Sequence, residues 1–276
     1  VKLGTLDVNR AASSPSAGNI ALGGTNLPLA AFDFTVTGEA VRVNQVKLSL
    51  TVAGAFLTKV TNVALVDASG STIAGPKDPT TAAAGTETLT YTESFVLKPG
   101  TTTLWVKANL ASTMTAGNTV SVSLLAPSTN MTIRGDQSNK SITARTTTAV
   151  SGNTQTVQGP SLSVVTTGLP KAGSVVANVQ DFTFAVVDLD PSGSGENVKV
   201  SDVSITDTLG AGAAAADLVN LEVWGDPDNT DTNDVTQRLQ TTNSTSIGTG
   251  ATALKFTFST PLQVGKNKPS RLYVKA

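Results

Sequence analysis

Two residue types are missing from this sequence of 276 residues: it has no cysteine and no histidine. The chain therefore lacks disulfides, thiol nucleophiles, thiolate and imidazole metal ligands, and the imidazole base of many hydrolases. Only carboxylate chemistry, lysine chemistry and oxygen ligands for metals are left to it. No catalytic carboxylate pair and no glycine-rich phosphate loop stands out, so we expect a protein that is not an enzyme.

Charge is also scarce. Charged residues make up 14% of the chain, and 19 basic against 20 acidic residues leave a net charge of −1. Such a balance offers no basic surface for phosphates, which argues against a nucleic-acid partner. No stretch reaches the roughly 18 apolar residues that a membrane-spanning helix needs. The hydrophobic content of 39% is nevertheless enough for a folded core.

An internal repeat organises the chain. The segment Ala31–Val36, with the sequence AFDFTV, matches Asp181–Val186, with DFTFAV. A glutamate followed by alternating valines comes next in both copies, at Glu39–Val43 and Glu196–Val200. Two further pairs of segments keep the same order: Val60–Val66 with Leu218–Trp224, and Leu104–Ala108 with Leu272–Ala276. The shared order of these blocks predicts two copies of one module.

The two copies differ in length. The repeat places the first module at residues 1–157 and the second at residues 158–276. The second module stops at its last matching block, and so lacks counterparts of Thr119–Leu124 and Ser141–Ala144. We expect open sheet edges where those strands are missing. Either the natural chain continues past Ala276, or another chain supplies the missing strand.

Apolar residues alternate with polar ones through most of both modules, as strands with one buried face require. Turn-forming clusters of Gly, Asn, Asp and Pro interrupt them at short intervals. This pattern predicts an all-β protein of two tandem immunoglobulin-like, Greek-key β-sandwich modules, the second without its last strands. The best helical candidate is Ala211–Leu218. We expect six aromatic residues in the cores: Phe32, Phe34, Trp105, Phe182, Phe184 and Tyr273.

The densest acidic cluster lies at residues 226–234, where Asp and Asn recur every two or three positions. Calcium takes six to eight oxygen ligands, so the spacing fits a calcium loop. No glycine occupies the sixth position and no glutamate the twelfth, so the loop departs from the EF-hand pattern. A solvated hairpin tip explains the same residues. The candidate calcium ligands are Asp226, Asp228, Asp231 and Asp234.

Three asparagines match the N-glycosylation acceptor pattern, which a chain rich in Ser and Thr also produces by chance. They are Asn130, Asn139 and Asn243.

The runs Gly4–Val8, Phe32–Val41 and Asn62–Asp67 resemble those of secreted tandem β-sandwich proteins of prokaryotic cell surfaces, of the surface-layer and extracellular-filament type. This resemblance extends over nearly the whole chain, but it consists of structural positions rather than catalytic signatures. It implies a scaffold that self-assembles into an array or filament, in some cases with calcium at the joints between modules.

We therefore expect a non-enzymatic extracellular structural protein that binds copies of itself at the cell surface. If it polymerises by strand donation, Leu3, Leu6 and Val8 of the N-terminal segment are the candidate donor residues. The alternative is a calcium-dependent adhesin or carbohydrate-binding module that recognises a glycan through Trp224 and the loop at residues 226–234.

Overall fold

The computed structural model describes residues 3–206, 208, 210, 212–214, 217–227, 237–240 and 253–276. The chain divides into two compact units, which we call unit 1 (Val1–Gly159) and unit 2 (Pro160–Ala276). Strands dominate both units, and the protein is all-β. In the described residues, no helix is long and apolar enough to cross a membrane.

Unit 1 contains fourteen described strands and two short helical turns. The 3-10 turn spans Leu57–Lys59 and the single α-helical turn, α1, spans Pro127–Asn130. In chain order the strands are β1 (Thr5–Arg10), β2 (Gly18–Ala21), β3 (Leu27–Thr37), β4 (Val41–Ala53), β5 (Val60–Val66), β6 (Thr72–Lys77), β7 (Gly85–Tyr91), β8 (Phe95–Leu97), β9 (Gly100–Leu110), β10 (Thr119–Leu124), β11 (Thr132–Gly135), β12 (Ser141–Ile142), β13 (Val150–Ser151) and β14 (Gln155–Gln158).

These strands form two sheets around one core. The first sheet has the order β1-β3-β9-β5-β6, and the second contains the other nine strands, with β4 at its centre. Alternate residues of both sheets point inward, because successive side chains of a strand lie on opposite faces. Phe32 and Phe34 are fully buried, as predicted, and together with Leu48, Leu104 and Val122 they belong to one continuous apolar cluster.

Unit 2 repeats part of this plan with seven described strands. The first sheet has the order β15-β16-β21-β18-β19, and the second is a single pair, β17 with β20. In chain order the strands are β15 (Ser163–Thr166), β16 (Thr183–Asp190), β17 (Val198–Ile205), β18 (Glu222–Gly225), β19 (Gln237–Arg238), β20 (Leu254–Val264) and β21 (Ser270–Lys275). The expected helix at Ala211–Leu218 lies partly outside the described residues, since positions 211, 215 and 216 are not among them.

The five-stranded sheets of the two units correspond strand for strand. The repeat matches β3 with β16, β9 with β21 and β5 with β18, and these strands have the same neighbours in both sheets. Even the backbone detail is shared: Asn62 and Asn220, at equivalent positions of the repeat, both adopt a left-handed conformation with φ of 53° and 57°. Asparagine is among the few residues that tolerate this conformation.

The second sheets differ at one edge. In unit 1, Val43 of β4 pairs with both Phe95 of β8 and Ile133 of β11, so β4 has a partner on each side. Its counterpart in unit 2, Val200 of β17, pairs only with Leu262 of β20 among the described residues. Strand β20 takes the place of β7 and β8, and no described strand covers the edge that β10 and β11 cover in unit 1.

The phenylalanines of β16 do not occupy the positions of those in β3. In unit 1 Leu104 lies opposite Phe32, whereas its counterpart Leu272 lies opposite Val187, so Val187 and Leu189 take the places of Phe32 and Phe34 in the sheet of unit 2. Phe184 is 38% exposed and Phe182 is half-buried. The expectation that these two residues fill the core was therefore wrong. Their rings pack edge to face instead, with centroids 5.0 Å apart.

Two other aromatic residues also lie outside the cores. Leu104 and Val106 of β9 are buried, so Trp105 between them points to the outer face of the sheet and is only half-buried. Tyr273 follows the buried Leu272 in β21 and is likewise half-buried. The expectation of a core position was wrong for both residues, because strand alternation places them on the solvent side.

Candidate functional site

A cluster of polar and aromatic side chains lies on the outer face of the five-stranded sheet of unit 2. Strands β18 and β21 pair there, with Glu222 opposite Lys275 and Trp224 opposite Tyr273, and Arg238 of β19 pairs with Trp224. We call these five residues the Trp224 patch. The buried Val223 between Glu222 and Trp224 fixes both on the opposite, outer face.

Glu222 holds the patch together. Its Oε2 accepts a hydrogen bond of 2.6 Å from the indole Nε1 of Trp224, and its Oε1 forms an ion pair of 3.1 Å with Nη1 of Arg238. The ammonium of Lys275 lies 4.4 Å from the centroid of the Trp224 ring. The ring is therefore held at its edge by a carboxylate and covered on one face by a cation.

A cavity of about 370 Å³ adjoins this patch within unit 2. Glu222 and Lys275 form part of its wall, so the two polar residues that hold Trp224 also face the cavity. The other lining residues are Asn178, Val179, Gln180, Asp181, Val219, Asn220 and Ala276. The mixture of amide, carboxylate and ammonium groups favours a polar ligand over an apolar one.

The patch is specific to unit 2. The repeat matches Glu222 and Trp224 with Ala64 and Val66 of unit 1, which are both buried apolar residues. The feature that distinguishes unit 2 chemically is therefore the Glu222–Trp224 pair. Trp224 stands out in the sequence, but Glu222, Arg238 and Lys275 do not, because only the pairing of β18 with β19 and β21 brings them together.

The candidate calcium loop lies mostly outside the described residues. Asp226 is described and half-buried, whereas Asp228, Asp231 and Asp234 are not among the described positions. Within the described part of the chain, no three acidic side chains come together in a way that could hold a metal ion. The calcium hypothesis thus stays a prediction.

The candidate donor residues occupy the sheet of their own unit. Strand β1 pairs along its whole length with β3, with Leu6 opposite Val36 and Val8 opposite Phe34. Leu6 and Val8 are fully buried, whereas Leu3 is 45% exposed. The segment is therefore not free for donation while this pairing holds, and a donor role would require the whole strand to exchange between chains.

Two of the three candidate glycosylation sites are among the described residues, and they differ in accessibility. Asn130 ends helix α1, where its amide donates hydrogen bonds to the carbonyl of Ala126 and the hydroxyl of Thr129. Asn139 is exposed and has a left-handed backbone with φ of 52°. Asn243 lies outside the described residues.

A second region of interest is the open edge of β17. In unit 1 the equivalent edge, on β4, is covered by β11, and the residues after β11 bind Glu39, which precedes β4. The Glu39 carboxylate is buried. It accepts hydrogen bonds from the backbone N–H of Gln137 at 3.1 Å, the backbone N–H of Ser138 at 2.8 Å and the Ser138 hydroxyl at 2.6 Å. These bonds lower the pKa of Glu39, with the Ser138 hydroxyl as the main cause. Its counterpart Glu196 is exposed.

Comparison with known proteins gives only distant likenesses. No protein-family model and no curated protein matches this sequence. A chain in the crystal structure of a complex between a CaDoc0917 variant and CaCohA2 is 14% identical, with a TM-score of 0.26, over 56% of this chain and 99% of that one. A two-domain protein of unknown function (BF3416) from Bacteroides fragilis is 10% identical, with a TM-score of 0.30, over 98% and 89%.

A DUF4466 family protein from Parabacteroides merdae is also 10% identical, with a TM-score of 0.29, over 99% of both chains. At these scores the likenesses carry no inference about function, which has to be argued from the residues of this chain.

Proposed function

We propose that this protein is a non-enzymatic extracellular structural protein that self-assembles into a cell-surface layer or filament. The observation that supports this most strongly is the second sheet of unit 2, which consists of two strands, β17 and β20, among the described residues. A two-stranded sheet with partly exposed apolar residues is marginal by itself, and an added strand stabilises it. Unit 1, in contrast, has a closed sandwich of the same design.

The composition supports the same proposal. Some of the charged residues form local ion pairs, such as Arg145 with Asp7 and Arg271 with Asp188. In the bidentate Arg271–Asp188 pair, the hydrogen bonds from the guanidinium lower the pKa of the Asp188 carboxyl. No acid, base and nucleophile are grouped for catalysis among the described residues.

Negative-stain electron microscopy of the purified chain, with calcium and with chelator, tests the proposal. We expect ordered sheets or filaments in calcium. Uniform particles of the size of a single chain in both conditions, together with a monomeric mass in solution, would contradict a self-assembling role.

A variant separates a specific calcium site from other effects of the chelator. Asp226, Asp228, Asp231 and Asp234 are replaced together by Asn, and Asp217, an exposed residue of unit 2 outside this loop and outside the cavity, is replaced by Asn as a control. If the loop binds calcium that the assembly needs, the fourfold variant no longer assembles in calcium and the control does. If both variants assembled in calcium, assembly would not need calcium bound by this loop, and the loop would be a solvated hairpin tip.

The alternative function, glycan binding, has support from the partly exposed Trp224. A sugar ring that stacked on the face covered by Lys275 would have to displace that side chain. Glycan binding thus predicts retention on a polysaccharide column that is lost in Trp224→Ala, kept in the control Trp105→Ala, and unchanged or raised in Lys275→Ala. If the wild-type protein were not retained on the column, glycan binding would be contradicted, and the Trp224 patch would serve only the structure of the sheet.

A further inference from the structure

The outer face of the second sheet of unit 1 carries mainly hydroxyl groups. Strand β4 contributes Ser49 and Thr51, which point outward because Leu48, Leu50 and Val52 on either side of them are buried. The neighbouring strands place further serines and threonines beside these two. We call this surface the hydroxyl face, and its residues are Ser49, Thr51, Thr86, Thr88, Thr90, Thr119, Ser121, Ser123, Ser151 and Thr156.

The register of the strands makes the hydroxyl face continuous. Ser49 lies between Thr88 of β7 and Ser123 of β10, and Ser123 pairs on its other side with Ser151 of β13. Neighbouring strands are about 5 Å apart, so side chains in such a row lie next to one another. Among the outward-facing residues of β7, β10 and the part of β4 from residue 47 onward, Lys47 at the margin is the one that is charged.

The hydroxyl groups of this face have few partners within the chain. Among the described residues, one hydrogen bond joins two of their side chains, between Thr51 and Thr86 at 2.9 Å. The outer face of the first sheet has threonines too, but there Thr35 bonds to Thr101 at 3.0 Å. The other hydroxyl groups of the hydroxyl face can therefore bond to solvent or to a partner molecule.

Charge also separates the two outer faces of unit 1. The outer face of the first sheet carries Asp7, Asp33 and Lys107, which alternate with buried residues of β1, β3 and β9. Burial of a charge is costly unless an opposite charge pairs with it, whereas a hydroxyl group needs only a hydrogen bond. The hydroxyl face is therefore the outer face of unit 1 that a partner can cover at the lower cost.

The chemistry of the hydroxyl group indicates which partner fits. In a contact across a two-fold axis, each copy presents the same surface to the other. Like charges would then oppose each other, but a hydroxyl group is both donor and acceptor and can bond to its own kind. The hydroxyl face is thus complementary to itself, which favours a second copy of this chain as its partner.

We propose that the hydroxyl faces of two copies of this chain pack against each other, with the two sheets stacked across a two-fold axis. Lys47 lies at the margin of the contact, where its ammonium group stays in solvent. This inference rests on the proposed function, because it names one contact between copies, and the open edge of β17 would supply another. A contact across a two-fold axis closes on itself, so a layer or filament needs both.

Analytical ultracentrifugation of the full chain in chelator tests the proposal. We expect the mass to rise with concentration from that of one chain to that of two. Ser49→Lys should raise the dissociation constant of the dimer at least about tenfold, because it places an ammonium group from each copy in the middle of the contact. Ser49→Thr keeps the hydroxyl group and should associate like the wild type.

Thr35→Lys is the matched control. Thr35 is half-buried in the outer face of the first sheet, as Ser49 is in that of the second, so the same charge is added outside the proposed contact. This variant should dimerise like the wild type. Thermal melting followed by circular dichroism shows whether each variant is folded. If Ser49→Lys does not fold, Thr88→Lys, at an exposed position of the hydroxyl face, takes its place.

Three results of the ultracentrifugation would overturn the proposal. The first is a wild type that stays monomeric at every concentration, and the second is a dimer that Ser49→Lys does not weaken. The third is a dimer that Thr35→Lys weakens as much as Ser49→Lys does. A monomeric wild type whose retention on a polysaccharide column is lost in Ser49→Lys would make a glycan the occupant and would overturn it as well.

The outcome is separable from that of the proposed function. Ordered assemblies in calcium from both the wild type and Ser49→Lys would reject this inference alone. A wild type that dimerises in chelator but forms no ordered assembly in calcium would reject the layer or filament and leave this contact standing.

Discussion

Glu39 shows how one buried carboxylate can fix a hairpin to a sheet. The side chain is 6% exposed and its oxygens receive three hydrogen bonds from residues 137 and 138. Hydrogen bonds to an ionised group are stronger than those between neutral groups, and here they compensate for the burial of the charge. The same residue type at the equivalent position of unit 2, Glu196, has no such environment among the described residues.

Replacement of Glu39 by Gln should lower the melting temperature of unit 1 by several degrees at neutral pH. Gln presents an NH2 group to donors that need an acceptor, and it has no charge to strengthen the remaining bonds. Glu196→Gln is the matched control and should melt like the wild type. Differential scanning calorimetry measures both, and equal melting of Glu39→Gln and Glu196→Gln would show that these hydrogen bonds do not stabilise unit 1.

The effect of Glu39 should also depend on pH. The folded-state pKa lies below the ordinary value of 4.5, so the carboxylate stabilises the fold above that pH. The contribution is lost as the pH falls through the lowered pKa. We expect the difference in melting temperature between the wild type and Glu39→Gln to be constant from pH 7 to about pH 5 and to shrink in more acidic solution. A difference that grows on acidification would contradict this assignment.

At the scale of elements, the register of a strand decides which of its residues are buried. β3 and β16 both carry a Phe-x-Phe motif and occupy the same place in their five-stranded sheets. Phe34 pairs with Val8 of β1, whereas the residue of β16 that pairs with the equivalent Val164 is Leu189. Phe34 and Leu189 are therefore buried, while Phe184, five residues before Leu189, is 38% exposed.

Truncation of these two phenylalanines should therefore have unequal costs. Phe34→Ala leaves a cavity in a closed core and should reduce the free energy of unfolding of unit 1 by about 3–5 kcal/mol. Phe184→Ala removes a partly exposed ring and its contact with Phe182, and should cost about 1 kcal/mol. Denaturant titration measures both values. If both variants lost the same free energy of unfolding, another part of the protein would have to bury Phe184 in solution.

At the scale of the whole molecule, the two units have very different cores. The continuous cluster of buried apolar residues in unit 1 draws on both sheets and includes Phe32, Leu50 and Val122. The corresponding cluster in unit 2 is much smaller in the described residues, and Val198 and Val203 are only partly buried beside it. Since apolar burial is the main driving force of folding, unit 1 should be the more stable unit.

Unfolding of the chain should consequently occur in two steps, with unit 2 first. The chain has two tryptophans, Trp105 in unit 1 and Trp224 in unit 2, so Trp105→Phe and Trp224→Phe each leave a reporter of one unit. We expect the fluorescence of Trp224 to change at a lower denaturant concentration than that of Trp105. Coincident transitions would show that the units unfold together.

The fold class and the repeat could be predicted from the amino-acid sequence alone. Alternation of apolar and polar residues is a local pattern that each strand carries, so the all-β class could be predicted, and so could the burial of Phe32 and Phe34. The shorter second copy also indicated an incomplete sheet, which appears as the open edge of β17 in the described residues.

The packing of the two sheets, by contrast, sets which face of each strand is covered and which distant residues meet. The core positions expected for Trp105, Phe182 and Phe184 were wrong because exposure depends on strand register and on the opposing sheet, and both are set by residues far away in the chain. The Trp224 patch and the Glu39 hydrogen bonds arise in the same way. Glu39 and Ser138 are 99 positions apart, and no local pattern in the chain brings them together.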